Sequence, residues 1–182
     1  MTDLRVVKTK QAIESAFVSL VLEEGFDRIT VSELAAKAMI NRQTFYQHYL
    51  DKFDLAEQMG QEVLKMYDKL GEQRISLSRQ NKNVIQIVDE VRPTLREVFH
   101  NHRQEITALF KIHMNNFDLR IELTKRVQGV ISQLLSGQAS EFELAILTGI
   151  ISSMITYLLT HDDLPSDEEI AEDLVRIKRL FS

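Results

Sequence analysis

Thirteen residues near the start of the chain, INRQTFYQHYLDK, concentrate side chains that donate and accept hydrogen bonds. They include an arginine, two glutamines, a threonine, a histidine and a lysine, interleaved with three aromatic rings. Arginine and glutamine present planar groups that can form paired hydrogen bonds with another planar group. Few of these side chains suit a hydrophobic core, so we expect residues 40–52 to lie at the surface and recognise a partner.

Recognised motifs for catalysis are missing from the sequence, including nucleophile elbows, phosphate loops, dinucleotide fingerprints and zinc-protease helices. The absence of cysteine excludes thiol catalysis, disulfides and thiolate metal sites. His100 and His102, with His113, invite a metal interpretation, but residues two apart on a helix point about 200° away from each other. We therefore expect no enzyme activity, no metal site and no cofactor.

Composition favours an all-α protein. The 182 residues are 44% hydrophobic and 27% charged. Six glycines and two prolines are too few turn-forming residues to connect many short strands. The net charge of −5 argues at first against a nucleic-acid partner. Residues 1–52, however, hold equal numbers of basic and acidic side chains, so this segment is neutral and permits a polyanionic partner.

Three helices are predicted within about the first fifty residues. The first covers residues 8–24, carries one apolar stripe and ends at Gly25. The second begins at Thr30, which forms a capping box with Glu33. The third begins at Asn41, a good N-cap residue, after a tight turn. This order of elements is typical of a helix-turn-helix unit.

The rest of the chain also reads as helical, giving roughly nine helices and no strand in total. The pattern predicts a loop over residues 76–83 and a helix end at Gly137. It also predicts an interruption near Pro93, which can either kink one helix or lie in the first turn of a new one. We predict two domains, a helix-turn-helix domain over residues 1–52 and a helical effector-binding and dimerisation domain over residues 53–182.

A helix-turn-helix places its second helix in the major groove of DNA, with the N-terminal residues reaching the base edges. On a helix beginning at Asn41, the first turn contains Arg42, Gln43 and Thr44. Phe45 would then point back at the first two helices. Polar residues at the groove-facing end and an aromatic anchor beneath are what such a helix requires.

Contacts with the DNA backbone are predicted further along the same segment. Tyr46, His48 and Lys52 are placed where phosphates would pass. Thr30, at the start of the preceding helix, offers a hydroxyl and backbone N–H groups to another phosphate.

Residues 12–55, AIESAFVSLVLEEGFDRITVSELAAKAMINRQTFYQHYLDKFDL, resemble the N-terminal DNA-binding domain of the TetR/AcrR family of bacterial transcriptional regulators. The shared elements are the Gly25-Phe26 helix end, the run ITVSELAAKA, the TFYxHY pattern and Lys52 leading into a long helix. The resemblance covers about a quarter of the chain. It implies a repressor or other regulator in the bacterial cytoplasm.

The resemblance also assigns individual roles. Phosphate contacts fall on Thr44, Tyr46 and Lys52, and base reading falls on Arg42 and Gln43. His48 is a further candidate for base reading.

Two residues depart from the family pattern. Met39 stands where the family usually has a turn glycine, and a left-handed conformation there would cost roughly 1–2 kcal/mol. Gln43 replaces a common glycine in the third helix, the one that would read the bases and is called the reading helix below. Glutamine can pair with adenine through two hydrogen bonds.

The most apolar segment, residues 144–160, is uncharged but shorter than the roughly 20 residues that a membrane-spanning helix needs, so we expect it to be buried in protein. It is apolar nearly all round and would need cover on every side. Either it lies at the centre of its own monomer, or it forms a two-fold four-helix interface together with the last helix. The family dimerises at this place. The candidate interface residues are Ala145, Gly149, Ser152, Ser153, Thr156, Leu174 and Ile177.

Aromatic, methionine and histidine side chains in the second domain could line a ligand cavity. The same residues could equally belong to the core, and their spacing does not separate the two interpretations. The candidates are Met66, Tyr67, Phe99, Phe110, His113, Met114, Phe117 and Met154.

The expected function is that of a homodimeric repressor that a small, mainly apolar effector releases from a palindromic DNA operator. The alternative within the family is an activator or adaptor whose C-terminal domain binds a protein partner. A third possibility, from another class, is a helical interaction module that does not bind DNA, or a cofactor-free enzyme.

Overall fold

A computed structural model describes residues 4–80, 84–162 and 164–179. Eight helices and no strand occur in those residues, which confirms the all-α class. The helices are α1 (Leu4–Glu24), α2 (Val31–Lys37), α3 (Arg42–Tyr46), α4 (Lys52–Ser78), α5 (Val84–Leu109), α6 (Leu119–Leu134), α7 (Glu141–Thr160) and α8 (Asp167–Lys178).

The helix count is one below the roughly nine expected, because α5 is continuous. Pro93 lies inside α5 instead of separating two helices. The predicted loop also begins later than expected, because α4 extends to Ser78. Residues 81–83 of that predicted loop lie outside the described residues.

The three N-terminal helices form because their apolar residues recur on one face. In α1, Ile13 and Phe17 are fully buried, as is Leu34 in α2. α1 packs against α2, and α2 packs against α3. The capping box of Thr30 and Glu33 begins α2 as predicted, with the Glu33 N–H donating to Thr30 Oγ1 at 3.3 Å.

Left-handed residues end three of the helices. Gly25 (φ 87°) ends α1, as predicted. Met39 (φ 56°) follows α2 and Ser136 (φ 55°) follows α6. The sequence predicted Gly137 as the end of α6, but α6 ends at Leu134 and Ser136 takes the first left-handed position. Both Gly25 and Gly137 have the positive φ that glycine adopts without a steric penalty.

The chain divides into two compact units, each built from two stretches of sequence. The first unit contains Met1–Tyr67 and His102–Leu123, and the second contains Asp68–Asn101 and Thr124–Ser182. Helices α4, α5 and α6 each supply residues to both units.

The first unit contains one close approach between a helix and a ring. A Cβ added at Gly60 of α4 would overlap the Cε1 and Cζ atoms of the Phe117 ring. Phe117 itself is 7% exposed. Only a glycine at position 60 therefore lets this ring lie against the α4 backbone.

The second unit leaves much of α7 uncovered. Thr148, Ile155 and Leu158 are buried. In contrast, Phe142 is 74% exposed, and Ile146 and Ile150 are 47% and 46% exposed. The expectation that this apolar helix is buried in protein is therefore not met within the chain itself, because one chain of this size cannot cover all its sides.

Candidate nucleic-acid interface

The reading helix α3 has one anchored side and one exposed side. Asn41 caps it, accepting a hydrogen bond from the Thr44 N–H to Oδ1 at 2.7 Å. Phe45 is fully buried and holds the helix to the domain. Arg42 and Gln43, the predicted base readers, are both exposed in the first turn. The helix is short, and the chain continues as a turn through Gln47 and His48 instead of as a helix.

The predicted phosphate contacts of this segment differ in accessibility. Tyr46 is 48% exposed, and its ring meets the Phe45 ring edge-on at 5.6 Å. His48 is half-buried. Thr44 is also half-buried, and its hydroxyl donates to Asn41 Oδ1 at 3.0 Å. Tyr46 is thus the most accessible of the three side chains.

Thr30, another predicted phosphate contact, is engaged by its own helix cap. Its N–H and its hydroxyl both donate to Glu33 Oε2, at 2.8 and 2.7 Å. These hydrogen bonds lower the pKa of Glu33, beginning with the one from the hydroxyl. A phosphate that used these two donors would have to displace the Glu33 carboxylate.

Lys52 lies at the start of α4 and is half-buried. Its ammonium donates to the carbonyl oxygens of Phe26, Asp27 and Ile29, at 2.9, 3.1 and 3.0 Å. An ammonium has three N–H donors, so these carbonyls account for all of them. Lys52 therefore holds the α1–α2 connection in place, a role that the sequence did not suggest.

The sequence analysis also did not predict a partly buried hydrogen bond between α1 and Tyr49, which lies three residues after α3. The hydroxyl of Tyr49, a residue that is 2% exposed, donates to Glu14 Oε1 at 2.8 Å. Burial raises the pKa of Glu14, although the hydrogen bond from Tyr49 opposes this. The two residues are 35 positions apart, so local sequence patterns carry no signal for the pair.

Glu14 and Tyr49 line a cleft of 270 Å³ within the first unit. Glu62 of α4 and Glu105 of α5 also line it, and both raise the pKa of Glu14 further through charge repulsion. The remaining lining residues are Lys10, Gln58, Met59, Met66 and His102.

Met39 lies at the turn between α2 and α3. Its N–H donates to Ala36 O at 3.1 Å, and the Ile40 N–H donates to Ala35 O at 2.9 Å. This is the Schellman pattern of a helix end, in which glycine is the usual left-handed residue. The positive φ expected at this position is thus present, with methionine in place of glycine.

The eight candidate ligand-pocket residues are distributed between the two units. Phe99 and Met154 belong to the second unit, and the other six belong to the first. Met66 lines the 270 Å³ cleft, and His113 lines a second cleft beside the α1–α2 connection. Tyr67, Phe99 and Phe117 are buried, His113 is exposed, and Phe110, Met114 and Met154 are half-buried.

The candidate dimer residues lie mostly at the surface. Ala145, Gly149, Ser153 and Thr156 are exposed on α7, and Ser152 is half-buried. On α8, Ile177 is 51% exposed, and the side chain of Leu174 lies outside the described residues.

In this all-α fold the short third helix follows a tight turn, points polar residues outward and is anchored by a buried aromatic ring. This arrangement is typical of the helix-turn-helix class of DNA-binding proteins. Within that class, residues 15–59 match the family described as bacterial regulatory proteins, tetR family. The resemblance noted in the sequence is thereby confirmed over these residues, which are similar to the DNA-binding domain of TetR-family transcriptional regulators. Proteins of this family are transcriptional regulators, not enzymes.

A curated relative supports the same domain. Over 60 residues the chain is 40% identical to the uncharacterized HTH-type transcriptional regulator YxbF of Bacillus subtilis (strain 168). The matched stretch is 32% of this chain and 16% of YxbF, so the chain spans only a small part of that relative.

Solved structures share the fold over most of the chain. NalD, the secondary repressor of the MexAB-OprM multidrug efflux pump in Pseudomonas aeruginosa, is 19% identical, with a TM-score of 0.66 over 94% of this chain and 96% of NalD. SmeT in complex with triclosan is 14% identical, with a TM-score of 0.57 over 84% and 78%. A TetR-family regulator from Streptomyces coelicolor is 15% identical, with a TM-score of 0.52 over 93% and 96%. At these identities the likeness concerns the fold.

Proposed function

We propose that this protein is a transcriptional repressor that inserts α3 into the major groove of an operator. The observation that carries the proposal is the division of α3 into a buried anchor and an exposed edge. Phe45 is fully buried, whereas Arg42 and Gln43 are exposed at the groove-facing end. Arginine pairs with guanine and glutamine with adenine through two hydrogen bonds each, so this edge can read a sequence.

We propose the contacts with the DNA backbone from the accessibility of the side chains. Tyr46 is the first phosphate contact that we propose, because its side chain is the most exposed. Thr44 and Lys52 contribute after exchanging a local hydrogen bond, with Asn41 or with a carbonyl of the α1–α2 connection. Thr30 would need the same exchange with Glu33, and His48 adds a further contact at the end of the segment.

The protein acts as a homodimer in this proposal. Phe142, Ile146 and Ile150 recur at intervals of four and are exposed along one face of α7. By length and composition alone, the stretch Glu141–Leu158 could also cross a membrane. A second copy of the chain would cover this apolar face as well as a membrane would, and we infer a cytoplasmic dimer. The dimer would bind a palindromic operator whose half-sites lie about one DNA turn or somewhat more apart.

Control by a small, mainly apolar effector is the remaining part of the proposal. NalD is a repressor, and SmeT forms a complex with triclosan. By analogy, residues 1–52 bind DNA, and residues 53–182 bind the effector and the second subunit. Effector binding would tilt α4 and change the spacing between the helix-turn-helix domains of the two subunits, which we call the heads. By linkage, DNA must then weaken effector binding by the same factor.

A selection experiment tests DNA binding and determines the operator sequence at the same time. The full-length protein would select duplexes from a random-sequence library, and gel shifts at several salt concentrations would measure the affinity. We expect a two-fold symmetric consensus and an affinity that falls linearly with salt on logarithmic axes. Failure to enrich any consensus would contradict sequence-specific binding.

Substitutions at the exposed edge identify the reading residues. Arg42→Ala should lower affinity for the selected duplex by about five- to 150-fold, because one paired contact with a base is worth about 1–3 kcal/mol. Arg79→Ala removes the same charge from an exposed position just after α4 and should leave affinity nearly unchanged. Tyr46→Phe should weaken binding to all duplexes alike, since a phosphate contact carries no sequence information.

A further inference from the structure

The turn before the reading helix contains an energetically unfavourable residue. Met39 has φ of 56°, a left-handed conformation in which a Cβ is crowded by its own backbone. At the end of α1, the chain places Gly25 in the equivalent conformation. Position 39 could accept glycine for the same reason, so the methionine carries a strain that the fold does not require.

Nothing in the free protein offsets that strain through burial, since Met39 is 92% exposed. The other methionines for which the structure describes a side chain are more enclosed. Met59 is 4% exposed, and Met66, Met114 and Met154 are half-buried. A thioether side chain gains free energy only when its apolar surface leaves water. For Met39 such a gain requires another molecule.

The position of Met39 indicates which molecule this is. It lies two residues before Asn41, the cap of the reading helix, so the two Cα atoms are at most about 7.6 Å apart. The hydrogen bonds from Met39 to Ala36 and from Ile40 to Ala35 fix this turn on the end of α2. A duplex that contacts Arg42 would therefore pass close to the turn that carries Met39, whose side chain is exposed.

We propose that Met39 is an additional DNA-contacting residue that lays its thioether side chain on an apolar part of the operator. This inference rests on the proposed DNA binding by α3. Two parts of DNA offer the required carbon surface, the C5-methyl group of thymine in the major groove and the deoxyribose of the backbone. Only the thymine contact contributes to sequence preference.

Replacing Met39 by glycine has opposite effects on folding and on binding. Met39→Gly relieves the left-handed strain, so the thermal midpoint of the free protein should rise by about 2–4 °C. The same change removes the apolar contact, so affinity for the selected duplex should fall by about five- to tenfold. A residue with only a structural role would not separate the two measurements in this way.

Ser136 provides a matched control. It ends α6 in the same conformation, with φ of 55° and an equivalent pair of hydrogen bonds, from the Ser136 N–H to Gln133 O and from the Gly137 N–H to Ser132 O. It belongs to the second unit and is exposed. Ser136→Gly should raise the thermal midpoint to a similar extent and leave DNA affinity unchanged.

Two further variants keep the test decisive if Met39→Gly folds poorly. Met39→Leu retains an apolar side chain and should retain most of the affinity. Asparagine tolerates the left-handed conformation but lacks the apolar end, so Met39→Asn should lose affinity as Met39→Gly does.

Replacing thymine by deoxyuracil in the selected duplex distinguishes a contact with the thymine methyl group from a contact with the deoxyribose. Loss of wild-type affinity on this duplex identifies the methyl group, and unchanged affinity identifies the deoxyribose.

The proposal is overturned if Met39→Gly or Met39→Asn binds the selected duplex as tightly as the wild-type protein does. It is also overturned if Met39→Leu loses as much affinity as Met39→Asn. Both outcomes presuppose that the wild-type protein selects a duplex, so they leave the proposed DNA binding intact. Failure of the wild-type protein to select any duplex would instead remove the proposed function itself.

Discussion

Several side chains of the head have hydrogen-bond partners within the domain. Thr30 donates to the Glu33 carboxylate, Thr44 donates to the cap residue Asn41, and Lys52 donates to three carbonyl oxygens. Arg42 and Gln43 lie exposed in the first turn of the reading helix. This division separates residues that must first give up a hydrogen bond within the domain from residues that are already available to a partner, and the two groups should respond differently to substitution.

Glu14 should make the stability of the protein depend on pH. Its pKa is raised above the usual value because it is buried, so the folded state holds the proton more tightly than the unfolded state. The stability that this group contributes is present below the usual carboxyl pKa and is lost as pH rises through the raised value. At neutral pH the protein therefore carries a partly buried charge at this position.

Glu14→Gln should consequently stabilise the protein at neutral pH, with a gain that shrinks as pH falls towards the usual carboxyl pKa. The amide oxygen can still accept the hydrogen bond from Tyr49. Urea unfolding of both proteins across this pH range measures the difference. Glu72→Gln, on an exposed part of α4, serves as the control and should show no such pH-dependent gain. A gain that grew as pH fell would contradict the assignment.

At the scale of elements, α4 depends on a glycine that a helix would ordinarily disfavour. Gly60→Ala should destabilise the protein by about 1–3 kcal/mol, because the new Cβ overlaps the Phe117 ring and overpacks the core. The midpoint of urea unfolding measures this change. Combining Gly60→Ala with Phe117→Leu should recover part of the loss.

The control for this prediction is a second helical glycine. Gly129 of α6 has nothing within 4 Å of an added Cβ. Gly129→Ala should therefore stabilise the protein by about 0.5–1 kcal/mol through helix propensity alone. Equal effects at both positions would show that the Phe117 contact does not limit position 60.

At the scale of the whole molecule, the exposed face of α7 should determine the oligomeric state. Ile150→Glu places a charge on that face, so it should shift the protein from dimer to monomer and weaken operator binding. Ile121→Glu is the matched control, since Ile121 is 56% exposed on α6 in the first unit. Sedimentation velocity distinguishes the two species. Identical sedimentation of both variants and the wild-type protein would exclude α7 as the interface.

Much of the head could be predicted from the sequence because its signals are local. The Thr30–Glu33 capping box spans three residues, and the stripe of α1 repeats within each turn. The family pattern marked position 39 as a turn where methionine replaces the usual glycine, and the structure shows methionine in the left-handed conformation. Beyond the head, one of the two alternatives at Pro93, the start of a new helix, was wrong, because α5 continues through the proline. The left-handed Ser136 was missed, since serine is not a typical residue for that conformation.

Local sequence patterns were sufficient for the all-α class, the capped starts of α2 and α3 and the exposed polar edge at Arg42 and Gln43, because each depends on residues within a few positions of one another. The start of α1 was predicted at residue 8 but lies at Leu4. Only the tertiary structure joined Tyr49 to Glu14 and Lys52 to the Phe26 carbonyl, across 35 and 26 positions. It also left the apolar face of α7 uncovered. Contacts between distant residues form through packing of separate helices, and packing leaves no periodic pattern in the chain from which its partners could be read.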